Sequence, residues 1–468
     1  MALVSIDPAS GTTIATYTPD DDAAVAARLA GAAAAFAAWR TTPLDVRTAV
    51  LARAAAGLDR DIEVHARLIT REMGKPLREA RAEVAKCAAG CRYYAAQAAR
   101  MLEPERVATD AAKSYVAFDP LGAVLAIMPW NFPFWQVFRF AAPALAAGNV
   151  AILKHASNVC GCALAIADVF RTAGAPEGVF TTLLVEAERV PALIADARVR
   201  AVTLTGSERA GASVAAAAGR ALKKCVLELG GSDPFLVLAD ADVPQAARRA
   251  AAARVVNSGQ SCIAAKRFIV VDAIAESFTH RFVDAMEALV VGDPLREETQ
   301  VGPLARADLR DEVARQVEDS CAAGARLLCG GRSPSGPGFF YAPTVLAEVT
   351  PGMPAFDEEV FGPVAAVVRA PDEPAAIALA NRSRFGLGAN VWTRDVDRAE
   401  RIAHELDAGL VFINDIVHSD PRLPFGGVKH SGFGRELSHF GLREFVNVRT
   451  IVVGADDHSD GLSAHAVE

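Results

Sequence analysis

Beginning at Gly122, short apolar runs alternate with helical patterns, and that alternation constrains the fold more than any other feature of the chain. Ala123–Met128 reads as a buried strand, Phe134–Ala147 as a helix, Val150–Lys154 as a strand and Cys160–Thr172 as a helix. The strands Val179–Val185, Val199–Thr205 and Val226–Leu229 follow. Parallel neighbours need crossover connections, and helices make them, so the expected class is α/β with helices on both faces of a parallel sheet. A second α/β run extends from Pro234 to about His430 and includes the strand Phe268–Val271. At 468 residues the chain is too long for one small core, which agrees with two such runs.

The first third is helical. Asp22–Arg40, Arg47–Gly74 and Leu77–Arg100 carry apolar residues at helical spacing, and Gly74 with Pro76 ends the second of them. Met1–Thr18 reads as a short strand and turn. Between Val107 and Asp119 the pattern changes to alternation through Ser114, Tyr115, Val116, Ala117 and Phe118, which predicts a hairpin arm. The tail returns to a strand at Val446–Val453 and then to a polar end expected to be disordered.

Composition excludes several classes. A net charge of −8 with no basic stripe argues against nucleic acid as a partner. The eight cysteines include the pairs Cys87-x3-Cys91 and Cys160-x-Cys162, each without a matching second pair. No metal site is therefore expected, and reduced thiols in a cytoplasmic protein are the better reading. The most apolar stretch, Phe138–Leu153, is interrupted by Arg139, Pro143, Gly148 and Asn149, too polar to span a bilayer. No secretory leader is read at the start of the sequence, and a soluble protein is expected.

Five places carry candidate chemistry. Cys262 closes the small polar loop Asn257-Ser258-Gly259-Gln260-Ser261, where backbone can approach a substrate and a thiol can act as a nucleophile. Glu228, between Leu227 and Leu229 at the end of an apolar strand, suits a general base whose pKa is raised by partial burial. Asn131, inside Pro129-Trp130-Asn131-Phe132-Pro133, offers an amide to an oxyanion from a stiff turn. Lys154 ends a strand where ligands of open α/β sheets bind. Thr205-Gly206-Ser207 leads into a helix whose free N–H groups suit a phosphate, although no G-x-G-x-x-G exists anywhere in the chain. The first four have plainer readings when taken alone: an inert thiol, a salt-bridged carboxylate, a turn asparagine, a solvated lysine.

Taken together and in order, these motifs resemble the aldehyde dehydrogenase superfamily. Trp130-Asn131-Phe132-Pro133, Lys154, Thr205-Gly206-Ser207, Glu228-Leu229-Gly230-Gly231, Gly259-Gln260-Ser261-Cys262, Glu359-Val360-Phe361-Gly362-Pro363 and Pro424-Phe425-Gly426-Gly427 carry the resemblance across about residues 5 to 454. It implies a Rossmann-like cofactor domain (1–106 and 123–230) and an α/β catalytic domain (231–430). A small β oligomerisation arm (107–122 and 431–455) and a polar tail (456–468) complete the chain. The implied chemistry has the Cys262 thiolate attack an aldehyde, Asn131 and the Cys262 N–H hold the oxyanion, and Glu228 activate the water that hydrolyses a thioester. The implied cofactor is NAD or NADP, contacted by Trp130, Lys154, Ser157, Gly206, Ser207, Gly211, Leu229, Glu359 and Phe361. Where relatives often carry an acid, Ser157 is neutral and does not repel a 2′-phosphate. Near the adenine the usual glycine is missing from Thr181-Thr182-Leu183-Leu184-Val185-Glu186, which leaves the adenine contacts open.

The wording around Asn131 and Glu228 is most similar to a short bacterial-type group of succinate semialdehyde dehydrogenases. That resemblance implies Arg139 as a ligand for the substrate carboxylate, with Trp135 beside it. Other members have a second arginine where this chain has Val256, so Ser419 and Arg422 are expected to supply the missing contacts. The alternatives are another small aliphatic aldehyde or semialdehyde, acyl transfer to CoA, and a non-catalytic binding protein. The arm and the apolar strand Val446–Val453 imply a homodimer or a tetramer.

Overall fold

The computed structural model describes residues 2–455, and the polar end, residues 456–468, lies outside them. Two mostly parallel sheets organise the chain. The first orders its six strands Gly432–Phe433, Lys224–Glu228, Val199–Thr205, Ala123–Met128, Val150–His155, Phe180–Leu183. Only the edge strand Gly432–Phe433 is antiparallel to its neighbour. Val150–His155 is buried at every position, the signature of a sheet covered on both faces. Helix Trp135–Ala147, buried along its whole length, lies between this sheet and helix Leu77–Met101.

Strand order places the crevice. The chain runs outward from Ala123–Met128 through Val150–His155 to Phe180–Leu183, then returns to pair Val199–Thr205 on the opposite side of Ala123–Met128. At that reversal the segments leaving Met128 and Thr205 part company, and an opening remains beyond the carboxyl ends of the strands.

The second sheet has seven strands in the order Arg326–Cys329, Thr344–Ala347, Val364–Ala370, Arg267–Val271, Pro234–Val237, Gly388–Trp392, Leu410–Ile413. Its first pair alone is antiparallel. A third, three-stranded sheet pairs Val446–Val453 with Lys113–Pro120, whose other edge carries Glu105–Arg106. The N-terminal segment is a hairpin, Leu3–Ile6 with Thr13–Tyr17. Among the described residues no helix is long and apolar enough to cross a membrane.

Two sequence expectations need correction. The helix read over Arg47–Gly74 is two helices, Leu44–Arg60 and Ile62–Met73, separated by Asp61 at φ −103° and ψ 21°. Apolar spacing runs straight through the break, but Gly57 and Asp61 are poor helix formers, and the chain bends there around the core. The strand read over Val179–Val185 is shorter, Phe180–Leu183, the stretch in parallel register with Ala151–Lys154.

Candidate active site

The turn after Met128 is held from below by a histidine. His155 accepts the Ala156 N–H at Nδ1 (3.0 Å), which leaves Nε2 as the donor to the Pro133 carbonyl at 2.9 Å. Burial pushes its pKa down to about 4, so the ring is neutral and serves as a fixed strut. On this turn the Asn131 side chain donates to the Gln260 carbonyl (3.1 Å) and accepts from Gln136 Nε2 (3.2 Å). One of its two amide N–H groups is thereby left for a ligand.

The loop carrying Cys262 is strained and anchored. Asn257 and Ser258 adopt φ of 54° and 56°, a left-handed conformation that costs of order 1–3 kcal/mol per residue unless the surroundings impose it. Here they do. The Asn257 amide donates to the Asn131 carbonyl (2.7 Å) and the Gln260 carbonyl (3.0 Å), and its N–H donates to the Glu79 carboxylate (2.7 Å). Gly259 follows at φ 79°, where a Cβ would lie 2.3 Å from the Gly362 backbone; only glycine fits. Downstream, the buried Lys266 ammonium donates to the Ser261, Cys262 and Ala264 carbonyls, each at 3.0 Å.

Cys262 is half-buried at the end of this loop. Burial pushes its thiol up to about 12, and the Arg139 guanidinium is the strongest opposing influence. Glu228, 2% exposed at the end of Lys224–Glu228, has no hydrogen-bond partner for either carboxylate oxygen among the described residues. Burial first, then the Glu436 carboxylate, hold it well above the usual carboxylate range, while Arg139 pulls the other way. Arg139 itself is buried and ion-paired with Glu436, its guanidinium 4.6 Å from the Phe425 ring centroid. Its Nη2 also donates to Gln136 Oε1 (3.1 Å) and Thr205 Oγ1 (3.4 Å).

The crevice between the two strand ends has a volume of about 350 Å³, and Trp130, Asn131, Ser207, Cys262, Glu359 and Phe361 line it. Gly206 and Leu229 border it too. Trp130 and Phe361 meet edge to face, with ring centroids 5.8 Å apart. Glu359 accepts the Gly231 N–H (2.9 Å), and burial raises its pKa. Ser207 caps helix Glu208–Arg220 through Ala210 N (3.3 Å), and Gly211 lets that helix close on Leu229, where a Cβ would come within 2.6 Å. Lys154 is buried at the end of its strand without an ion pair among the described residues, its pKa lowered by desolvation, and Ser157 stands exposed just beyond. An aromatic-walled cleft, a free helix N-terminus and an uncommitted buried cation together fit a dinucleotide.

The remaining expected residues divide. Trp135 and Ser419 meet, Trp135 Nε1 donating to Ser419 Oγ at 3.0 Å. Arg422 does not join them: its side chain is 75% exposed and turned onto Asp420. Sequence reading missed Glu436, Lys266, His155 and Lys86, the last of which donates to Ser419 Oγ at 2.7 Å. Glu436 and Lys86 carry no local signal, since they act on residues distant in the chain, whereas Lys266 acts on the loop just before it, four residues after Cys262.

Comparison with known proteins agrees with this geometry. The chain matches the aldehyde dehydrogenase family over residues 2–451. It is 53% identical over 450 residues to the succinate semialdehyde dehydrogenase [NAD(P)+] of Escherichia coli strain K12, covering 96% of this chain and 97% of that one. The succinate-semialdehyde dehydrogenase [NADP(+)] of Mycobacterium avium is 51% identical, with both chains covered completely (100%). The crystal structure of succinic semialdehyde dehydrogenase from Streptococcus pyogenes in complex with NADP+ superposes with a TM-score of 0.95 at 38% identity, covering 97% of this chain and 100% of that one. Because the family match spans both large sheets and every residue that lines the crevice, the chain belongs to the aldehyde dehydrogenase family.

Proposed function

We propose that this protein oxidises succinate semialdehyde to succinate, with NADP or NAD as the oxidant. The observation that carries the reading is the placement of Cys262 and Asn131 on the same cleft as Ser207, Glu359 and Phe361. Relatives at 51–53% identity bear that substrate in their names.

In this reading the Cys262 thiol gives its proton to solvent water, and its sulfur bonds to the aldehyde carbon. The oxygen that gains the electron pair is held by the free Asn131 N–H and the Cys262 backbone N–H. The nicotinamide, when bound, supplies the acceptor for the hydride leaving that carbon, and Cys262 is left as a thioester. Glu228 then takes a proton from water, whose oxygen displaces the Cys262 thiolate and releases the acid. A thiol suits both halves, being a strong nucleophile and a good leaving group. Trp130, Gly206, Ser207, Gly211, Leu229, Glu359 and Phe361 would hold the nicotinamide half and the phosphates. Lys154 and Ser157 would face the adenosine ribose, where a cation and a neutral hydroxyl accept a 2′-phosphate. Arg139, with Nη1 free of hydrogen bonds among the described residues, would meet the substrate carboxylate.

The sheet of residues 123–230 serves as the cofactor domain in this proposal, and the sheet of 231–430 as the catalytic one. Self-association through the three-stranded sheet is supported by Val448, Val452 and Val453, 50–61% exposed on its edge strand. Eight free cysteines support a cytoplasmic location.

Initial rates with succinate semialdehyde, glutarate semialdehyde and butanal, each with NAD and NADP and with or without CoA, test the proposal. Preference for the two carboxylated aldehydes without a need for CoA is expected. Equal rates on butanal, or a requirement for CoA, would overturn it.

A further inference from the structure

The two candidate oxyanion donors, the free Asn131 N–H and the Cys262 backbone N–H, sit on separate segments of the chain, and one helix holds both segments. Helix Leu77–Met101 meets each of them with an acid. On the Asn131 side Glu83, 4% exposed, accepts the Phe134 and Trp135 N–H groups at 2.9 and 3.0 Å. Glu83 is also ion-paired with Lys75, whose Nζ lies 3.7 Å from the centroid of the Phe132 ring. On the Cys262 side Glu79 accepts the Asn257 N–H at 2.7 Å. Glu79 and Glu83 are four residues apart, about one turn or roughly 5 Å along the helix axis.

The two acids differ in what depends on them. Glu83 neutralises a buried lysine, so the fold needs it. Glu79 makes no ion pair among the described residues and gives its hydrogen bond to one backbone group. Asn257 is fully buried at φ 54°, so its N–H has no water to turn to, and the left-handed loop leans on an acceptor from outside itself. The Asn257 side chain carries the constraint onward. Its amide donates to the Asn131 carbonyl (2.7 Å) and the Gln260 carbonyl (3.0 Å), and the latter also accepts Asn131 Nδ2 (3.1 Å). A continuous run of hydrogen bonds thus joins Glu79 to the amide whose second N–H is free. The sulfur end of the loop is held separately, by Lys266 on the Ser261, Cys262 and Ala264 carbonyls.

We propose that Glu79 is a positioning residue for the oxyanion site, setting through Asn257 the separation between the Asn131 amide and the Cys262 N–H, while Glu83 fixes the Asn131 turn against the same helix. The inference rests on the reading that these two groups hold the oxyanion.

The test compares Glu79→Ala, which removes the acceptor, with Glu79→Gln, which keeps a carbonyl oxygen to accept the Asn257 N–H. Misplacing a catalytic group by about 1 Å can cost roughly a hundredfold, so Glu79→Ala should lower kcat about tenfold to a hundredfold, with KM for succinate semialdehyde changed less than about threefold. Glu79→Gln should recover most of that loss. In Asn131→Ala/Glu79→Ala the fall in kcat should be about tenfold smaller than the product of the two single losses, because the amide that Glu79 positions is already gone. Alkylation of Cys262 by iodoacetamide displaces iodide and builds no oxyanion, so its rate should change less than about threefold in Glu79→Ala. NADP binding, followed by fluorescence quenching, serves as the check that the variants are folded. Unchanged kcat in Glu79→Ala, a Gln variant as slow as the Ala variant, an additive double variant, or an alkylation rate that moves with kcat overturns the role of Glu79 and leaves the oxyanion reading standing. Unchanged turnover in Asn131→Ala overturns that reading and this inference together.

Discussion

Replacing Arg139 by methionine should destabilise the protein in a way that grows with pH. The guanidinium and its partner Glu436 are 3% and 4% exposed, so deletion of the cation leaves a carboxylate with no solvent to replace it. Breaking such a pair costs about 3–5 kcal/mol while the acid stays ionised. Protonation offers an escape whose cost depends on pH. A carboxyl group with an ordinary pKa of 4.5 must be protonated against about 1.4 kcal/mol per pH unit. At about pH 5.5 that ceiling is roughly 1.4 kcal/mol, and at about pH 8.5 it is roughly 5–6 kcal/mol, so the full ion-pair penalty appears only at the higher pH. The sign is settled by linkage. Burial raises the pKa of Glu436, and Arg139 supplies both the charge and the hydrogen bond that oppose it. Without Arg139 the folded pKa rises further, the native state holds a proton that the unfolded chain releases, and stability falls as pH climbs above the unfolded value. Urea midpoints of wild type and Arg139→Met at the two pH values read this directly. The double variant Arg139→Met/Glu436→Gln should recover most of the pH-dependent part. A loss that is the same at both pH values, or below about 1 kcal/mol at the higher one, would refute a buried charged pair.

Glu228→Gln should still release one reduced cofactor per active thiol in a burst, while steady turnover falls about a hundredfold to ten-thousandfold. A variant without a burst would place Glu228 before the thioester. Asn131→Ala should lower kcat by a factor of about a hundred to a thousand, near 3 kcal/mol, since it removes one oxyanion donor. Unchanged turnover would mean that the amide serves only the Gln260 carbonyl. The alkylation rate of Cys262 without added cofactor should rise roughly tenfold per unit between about pH 7 and pH 10 without a plateau, because the thiol is pushed up to about 12. A plateau below about pH 8 would show that the sulfur is better solvated, or closer to a cation, than its surroundings here indicate.

The fold was legible because it rests on local periodicity. Ala123–Met128 and Val199–Thr205 read as strands from their apolar runs, and both are strands with those bounds. Cys262, Glu228 and Asn131 were legible for a different reason, as each sits in a distinctive local wording. What sequence could not show is the electrostatics that joins them. Arg139, Glu228, Cys262 and Glu436 come from four separate regions of the chain, and Glu436 sits in an unremarkable segment. Its partner is chosen by the backbone bridge between Phe425 and Glu436, two hydrogen bonds of 2.7 Å that set the acid beside the helix carrying Arg139. That contact changes the meaning of the arginine. Read from the resemblance, Arg139 is a cation waiting for the substrate carboxylate. In the fold, one guanidinium serves two buried acids and a thiol, and it can neutralise only one acid. The ion pair goes to Glu436, so burial and the remaining negative charge act on Glu228 and raise its pKa. A carboxylate whose pKa is raised this way is a stronger base than an ordinary one, which suits a group that must drive water onto a thioester.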